Sequence, residues 1–81
     1  MTKSIHTDEM VALRDWLKLQ RQSRHLTMRS LAQLMGKPHS YIQRVEDGER
    51  RLDVIEYVWY CNALNIDPRV GLELVLDQIS K

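Results

Sequence analysis

Four polar side chains within one short stretch carry chemistry suited to contacts with nucleic acid. The four residues are His39, Ser40, Gln43 and Arg44. Their three- and four-residue spacing places them on one face of a helix. Such side chains form hydrogen bonds with base edges or with phosphates. Ile42 lies among them and Val45 follows them, and both are apolar, so the opposite face is predicted to be buried.

The residues before this stretch indicate how it is positioned. Thr27 is a good cap for a helix over Met28–Met35, and Gly36 can end that helix because glycine adopts the left-handed conformation without steric cost. Pro38 suits the first turn of the next helix, predicted over Pro38–Glu46. Two short helices joined by a tight turn form a helix-turn-helix, whose second helix is shaped for the major groove of DNA.

Three more helices are predicted around this pair. The first runs from Asp8 to about Arg24, and His25 takes the position after its end where glycine is more usual. Residues 1–6 are polar and are expected to be frayed. The last helix is predicted over Pro68–Ser80.

The fourth helix is predicted over Val54–Leu64, capped by Asp53 and ended by Asn65. Its inward stripe is predicted to contain Val54, Val58, Cys61 and Leu64. No segment alternates as a strand would, so the fold class is all-α with five helices. The 81 residues predict a single domain over 1–81, with a core over about 8–66 and a C-terminal helix in 67–81.

Charge is distributed unevenly along the chain. The formal net charge is only +1, which by itself favours DNA binding weakly. However, no acidic residue occurs between Lys18 and Arg44, and the first acid after this basic stretch is Glu46. The segment that holds the polar face is therefore locally basic.

Several classes of protein are not expected from the composition. One cysteine excludes an internal disulfide framework, and His6, His25, His39 and Cys61 lack the spacing of a metal site, so no metal or cofactor is predicted. No carboxylate pair, nucleophile–base set or phosphate loop predicts an enzyme. The absence of an apolar export signal or membrane span predicts a cytoplasmic protein.

Residues 17–68 resemble the phage repressor and Cro-type helix-turn-helix family, often called the XRE family. The segment LAQLMGKPHSYIQRVEDGERRLDVIEY and the later ALNIDP carry the resemblance, with Gly36, Ile42, Glu46 and Gly48 at the family's spacing. The resemblance implies a repressor-like domain from a bacterium or phage. It also implies a transcriptional regulator that acts as a homodimer on a two-fold double-stranded DNA operator.

The resemblance assigns roles to residues of this chain. His39 and Ser40 would contact base edges at the start of the recognition helix, followed by Gln43 and Arg44. Gln43 suits adenine, and Arg44 suits either guanine or a phosphate. Arg21 and Glu46 match a buried ion pair that fixes the first helix to the end of the third. The candidates for phosphate contact are Arg24, Arg29, Lys37, Tyr41, Arg50 and Arg51.

Three positions depart from the family pattern. Met28 stands where glutamine often clamps a phosphate, which moves that role to Arg29 and the helix N-terminal amides. His25 replaces the usual glycine and should introduce backbone strain. Arg51 stands where many relatives have proline, although the branch with the ERRLDV run shares this feature.

Two surfaces are candidates for self-association. Trp59 is turned away from the predicted inward stripe, so it either lies flat against the fifth helix or anchors a subunit contact. In the fifth helix, Val70, Leu74 and Val75 can pack on the core. The remaining apolar residues form a second side, which is either a dimer surface or buried in a groove: Leu72, Leu76 and Ile79.

The alternative function is a protein-interaction module, such as an antitoxin that binds a partner protein through the surface of Trp59 and the C-terminal helix. The near-neutral net charge and Trp59 favour this alternative. The basic stretch from Lys18 to Arg44 favours DNA binding.

Overall fold

A computed structural model describes residues 7–80, which form five helices and the turns between them. The expectation for residues 1–6 lies outside this range. The helices are α1 (Asp8–Ser23), α2 (Met28–Met35), α3 (His39–Glu46), α4 (Val54–Leu64) and α5 (Pro68–Ile79). The all-α class with five helices is confirmed, and the observed helix ends lie within one residue of the predicted ones.

Side-chain caps explain where α1, α2, α4 and α5 begin. The hydroxyl of Thr7 accepts a hydrogen bond from the Met10 amide, and Thr27 forms a reciprocal capping box with Ser30. Asp53 forms the same kind of box with Glu56 at the start of α4. Asp67 accepts from the Arg69 amide and is followed by proline in the first turn of α5.

Left-handed residues explain where three helices end. Gly36 after α2 and Asn65 after α4 have φ values of 66° and 58°. His25 follows the cap of α1 with φ 58°, as predicted, although a β-carbon makes this conformation unfavourable. Each of these residues turns the chain sharply, which brings the next helix back onto the core.

The core lies where the first four helices meet. Leu17 of α1, Leu31 and Ala32 of α2, and Ile42 and Val45 of α3 are almost completely buried. Their burial removes apolar surface from water and fixes the relative orientation of α2 and α3.

The inward face of α4 differs from the prediction. Val54 and Val58 are 74% and 44% exposed, whereas Tyr57 and Tyr60 are buried with Cys61 and Leu64. The predicted stripe and the observed stripe share Cys61 and Leu64. Residues in each recur at three- or four-residue intervals, so helical spacing does not distinguish between them. The observed stripe buries two aromatic rings, which remove more apolar area from water than two valines would.

A glycine allows α5 to approach the core closely. Gly71 is buried, and a β-carbon there would overlap the Tyr57 hydroxyl and the Trp16 ring. The Tyr57 hydroxyl donates to the Pro68 carbonyl at 2.5 Å, which fixes the start of α5. In this orientation Val70 is exposed rather than packed on the core as predicted, while Val75 does pack against the core.

None of the helices within residues 7–80 is long and apolar enough to cross a bilayer.

Candidate nucleic-acid interface

Helix α3 presents a polar face to solvent and an apolar face to the core. The predicted base-contacting residues are all exposed: His39, Ser40, Gln43 and Arg44. Ile42 and Val45 are buried on the opposite side. An exposed helix with polar residues at this spacing has the shape and the hydrogen-bonding groups required to enter a major groove.

A buried ion pair holds the C-terminal end of α3. Arg21 of α1 donates through Nε to Glu46 Oε2 at 2.6 Å and through Nη2 to Oε1 at 3.0 Å. Its Nη1 donates to the Leu26 carbonyl at 2.8 Å, in the loop before α2. The hydrogen bond with Glu46 raises the pKa of Arg21. The pair that the resemblance implied is therefore present, and it connects α1, the α1–α2 loop and α3.

The turn after α3 lies against a second arginine of α1. Gly48 has φ 77°, and a β-carbon there would lie within 3 Å of the guanidinium of Arg14. The Gly48 amide donates to the Val45 carbonyl at 3.2 Å, which satisfies one of the free carbonyls at the helix end. The C-terminal end of α3 is thus bound to α1 through the ion pair of Glu46, and the following turn packs against the Arg14 side chain of α1.

The N-terminal end of α3 borders a hollow with three cationic side chains. Lys37, Arg44 and Arg50 line it together with Ser40 and Tyr41. Pro38 is the N-cap and forms no side-chain capping bond. Basic side chains, a hydroxyl and a positive helix end are groups that bind a phosphate.

Tyr41, one of the predicted phosphate contacts, lines this hollow while its hydroxyl binds a carboxylate. The residue is buried, and its hydroxyl donates to Glu56 Oε2 at 3.1 Å. Burial and then the bond with Glu56 raise the pKa of Tyr41 to about 12, so its hydroxyl stays protonated at neutral pH. Lys37 Nζ and Arg50 Cζ lie 5.5 and 4.9 Å from the centre of its ring. The ring therefore orders two of the cations by cation–π contacts.

The other predicted phosphate contacts lie on two more segments. Arg29 is exposed in the first turn of α2, and Arg51 is exposed in the loop before α4. Arg24 is exposed after α1 and donates to Gln20 Oε1 at 2.8 Å. Arg50 forms an ion pair with Glu56.

Glu56 is the residue of this region that sequence reasoning missed. Its spacing from Asp53 predicts a capping box, which is the signal that could have drawn attention to it. The spacing gives no indication that its second oxygen contacts Tyr41 and Arg50, because those residues come from other segments.

Trp59 lies beside α2 and the turn that follows it. It is 51% exposed and lines a groove with Leu34, Gly36 and Ala63. Lys37 Nζ lies 5.4 Å from its ring centre. Trp59 thus faces the helix-turn-helix rather than lying flat against α5, and much of its ring stays accessible.

The outer side of α5 is apolar and exposed. Its residues are Leu72, Leu76 and Ile79. They lie at helical spacing and stay uncovered in the single chain, so the alternative in which α5 buries both sides in a groove is wrong. Among residues 7–80, no three histidine, cysteine or acidic side chains converge as a metal site.

These features define a helix-turn-helix protein. The helix-turn-helix family HTH_3 matches residues 17–70, which is well over half of the chain, and the chain belongs to this family. No curated protein matches it.

Solved structures agree with this assignment. An XRE-family-like protein from Pseudomonas syringae pv. tomato is 35% identical with a TM-score of 0.83, covering 91% of this chain and 90% of that one. The restriction-modification controller protein C.AhdI from Aeromonas hydrophila is 29% identical with a TM-score of 0.73, covering 80% and 98%. Similarity to XRE-family regulators identifies this chain as a DNA-binding helix-turn-helix protein of the transcription-regulator class.

A third structure shares the fold at lower identity. The controller protein C.Esp1396I, solved as a tetramer with its natural 35 base-pair operator, is 20% identical with a TM-score of 0.79, covering 94% of this chain and 100% of that one. None of these similarities supports the alternative of a protein-interaction module.

Proposed function

We propose that this protein binds double-stranded DNA sequence-specifically by placing α3 in the major groove. The observation that carries the proposal is the exposed polar face of α3, opposite a buried apolar face. Gln43 contacts adenine, and Arg44 contacts guanine or a phosphate beside it. His39 and Ser40 approach the bases at the start of the helix.

Phosphate contacts on both sides of α3 set its position on the duplex. The hollow bordered by Lys37, Arg44 and Arg50 accepts one backbone phosphate, because three cations and a hydroxyl surround it. Arg29 and the N-terminus of α2 contact a second phosphate group. Arg24 and Arg51 add positive charge at the edges of the interface.

The protein acts as a homodimer on a two-fold operator. Leu72, Leu76 and Ile79 supply an exposed apolar stripe that a second copy can cover, and Trp59 is the other candidate surface. A two-fold dimer places its recognition helices roughly 34 Å apart, one turn of duplex. Occupation of a promoter by such a dimer blocks polymerase, so repression is the proposed outcome.

Selection of bound sequences from a random duplex pool tests this function. The expected result is a two-fold symmetric motif for the purified protein, and loss of that motif for a Gln43→Ala/Arg44→Ala double variant with an unchanged melting temperature. Recovery of unrelated sequences by the unsubstituted protein would contradict sequence-specific binding.

Light scattering tests the dimer and the choice of surface. Leu76→Glu is expected to give a monomer at micromolar concentration, because it places a charge in the apolar stripe. Trp59→Ala is the matched comparison, and it is expected to stay dimeric. A monomeric unsubstituted protein would contradict self-association, and a monomeric Trp59→Ala variant with dimeric Leu76→Glu would move the interface to Trp59.

A further inference from the structure

A carboxylate contacts two of the residues that line the hollow, in a region where negative charge opposes DNA binding. The side chain of Glu56 is 12% exposed, so its charge is largely shielded from water. Glu56 Oε1 accepts from the Asp53 amide at 3.1 Å, and Oε2 accepts from the Tyr41 hydroxyl at 3.1 Å and from Arg50. All three donors contact this one carboxylate.

The role of Glu56 in the capping box does not require a negatively charged side chain. A glutamine in the third helical position completes a capping box through its carbonyl oxygen as a glutamate does. A neutral amide would also repel DNA phosphates less. The contact that benefits from a negative charge is the one with Arg50, since charge-assisted hydrogen bonds are stronger than neutral ones.

Arg50 is held in a defined place by this carboxylate and by an aromatic ring. Its guanidinium carbon lies 4.9 Å from the centre of the Tyr41 ring, and Glu56 binds one of its terminal nitrogens. Arg50 also lines the hollow with Lys37, Ser40 and Arg44. A guanidinium has five donors in a fixed plane, so one edge can bind Glu56 while others remain for an anion.

We infer that Glu56 is a positioning residue for DNA binding, which holds Arg50 against Tyr41 so that its guanidinium faces a backbone phosphate in the hollow. The inference rests on the proposed function. Glu56 itself does not contact DNA in this arrangement. Glu56 raises DNA affinity through Arg50. This gain in affinity outweighs the loss from repulsion between the carboxylate and the phosphate.

A double-mutant cycle between Glu56 and Arg50 tests the inference on the selected duplex. Glu56→Gln keeps an oxygen for the cap and is expected to weaken DNA binding about three- to tenfold, within the usual coupling of contacting residues. In the Arg50→Ala background the same substitution is expected to cause no further loss. Melting temperatures of all variants check that each remains folded.

Glu56→Asp provides a second variant that keeps the charge. The shorter side chain moves the carboxylate away from Arg50, so it is expected to weaken binding although its charge is unchanged. Stronger binding of Glu56→Gln together with unchanged binding of Glu56→Asp would show that Glu56 acts only by repulsion and would overturn the inference. Equal loss in both Arg50 backgrounds would overturn it as well.

The outcome also separates this inference from the function on which it rests. Failure of the unsubstituted protein to bind any selected duplex would refute the proposed function and the inference together. Specific binding by the unsubstituted protein, with no coupling between Glu56 and Arg50, would refute the role of Glu56 alone.

Discussion

The two ends of α3 are built differently. At its C-terminal end, Glu46 is buried in a two-pronged ion pair with Arg21, and Gly48 lies beneath the guanidinium of Arg14. At its N-terminal end, His39 and Ser40 are exposed, and no side chain caps the helix. The C-terminal end is fixed by contacts inside the protein, whereas the polar groups of the N-terminal end are exposed to solvent.

This difference separates stability from recognition within one short helix. Substitutions at the C-terminal end should lower the free energy of unfolding, because they leave buried groups without partners. Substitutions on the exposed face should lower DNA affinity and leave stability nearly unchanged. The helix is therefore anchored to α1 at one end, while the other end presents its polar groups to solvent.

The largest effect is expected when the buried ion pair is broken. Glu46→Ala leaves the Arg21 guanidinium buried without its carboxylate, which should lower the free energy of unfolding by about 3–5 kcal/mol. Urea denaturation measures this change in the free energy of unfolding. Glu49→Ala, which removes an exposed carboxylate from the adjacent turn, is the control and should change stability by less than about 0.5 kcal/mol. Equal stabilities of the two variants would contradict the anchoring role of the pair.

A smaller loss of stability is expected from the turn that follows α3. Gly48→Ala should cost about 1–2 kcal/mol because of its left-handed backbone, and displacement of the flexible end of Arg14 adds a smaller cost. Gly36→Ala is the matched control, since Gly36 is also left-handed but has no atom within 4 Å of its added β-carbon. Chemical denaturation should therefore rank Gly36→Ala as the milder variant, and the reverse order would contradict the packing of Arg14.

The caps made the helices predictable from sequence. Thr7, Thr27, Asp53 and Asp67 each form the capping bond that their residue type favours. Cap chemistry is local, so neighbouring residues suffice to identify it. The exposed face of α3 was predictable for the same reason, because its polar and apolar residues alternate at helical spacing.

Other features depend on tertiary contacts that a pattern does not contain. In α4, two stripes fit helical spacing equally well, and packing of Tyr57 and Tyr60 decided between them. The bond between Tyr41 and Glu56 joins residues from two helices, so no local spacing indicates it. The ion pair of Arg21 and Glu46 was expected only through resemblance to relatives, since the two residues are far apart in sequence.

A substitution on the exposed face of α3 should lower DNA affinity and leave stability unchanged, in contrast to the substitutions of Glu46 and Gly48. Arg44→Ala should weaken binding to the selected duplex by about 1–2 kcal/mol, because it removes a contact to guanine or phosphate, while the melting temperature stays unchanged. Fluorescence anisotropy measures the affinity. Arg69→Ala removes an exposed cation from α5 and is the matched control. Equal affinities of the two variants would contradict a specific role for this face of α3.

The smallest effect is expected at the strained residue near the anchored end. His25→Gly should stabilise the protein by about 0.5–1 kcal/mol, because glycine adopts the positive φ of this position without the β-carbon penalty. Thermal unfolding measures the gain, with His39→Gly as a contrasting variant that should gain no stability, because His39 already has a helical backbone conformation. Destabilisation by His25→Gly would indicate that the imidazole forms a stabilising contact.

The salt dependence of DNA binding tests most directly whether the polar face of α3 and its flanking cations contact a duplex. If about four phosphates are contacted, affinity for the selected duplex should fall roughly a hundredfold between about 50 and 200 mM salt. An affinity that stays constant across this range would contradict these contacts, since binding would then not depend on the cations.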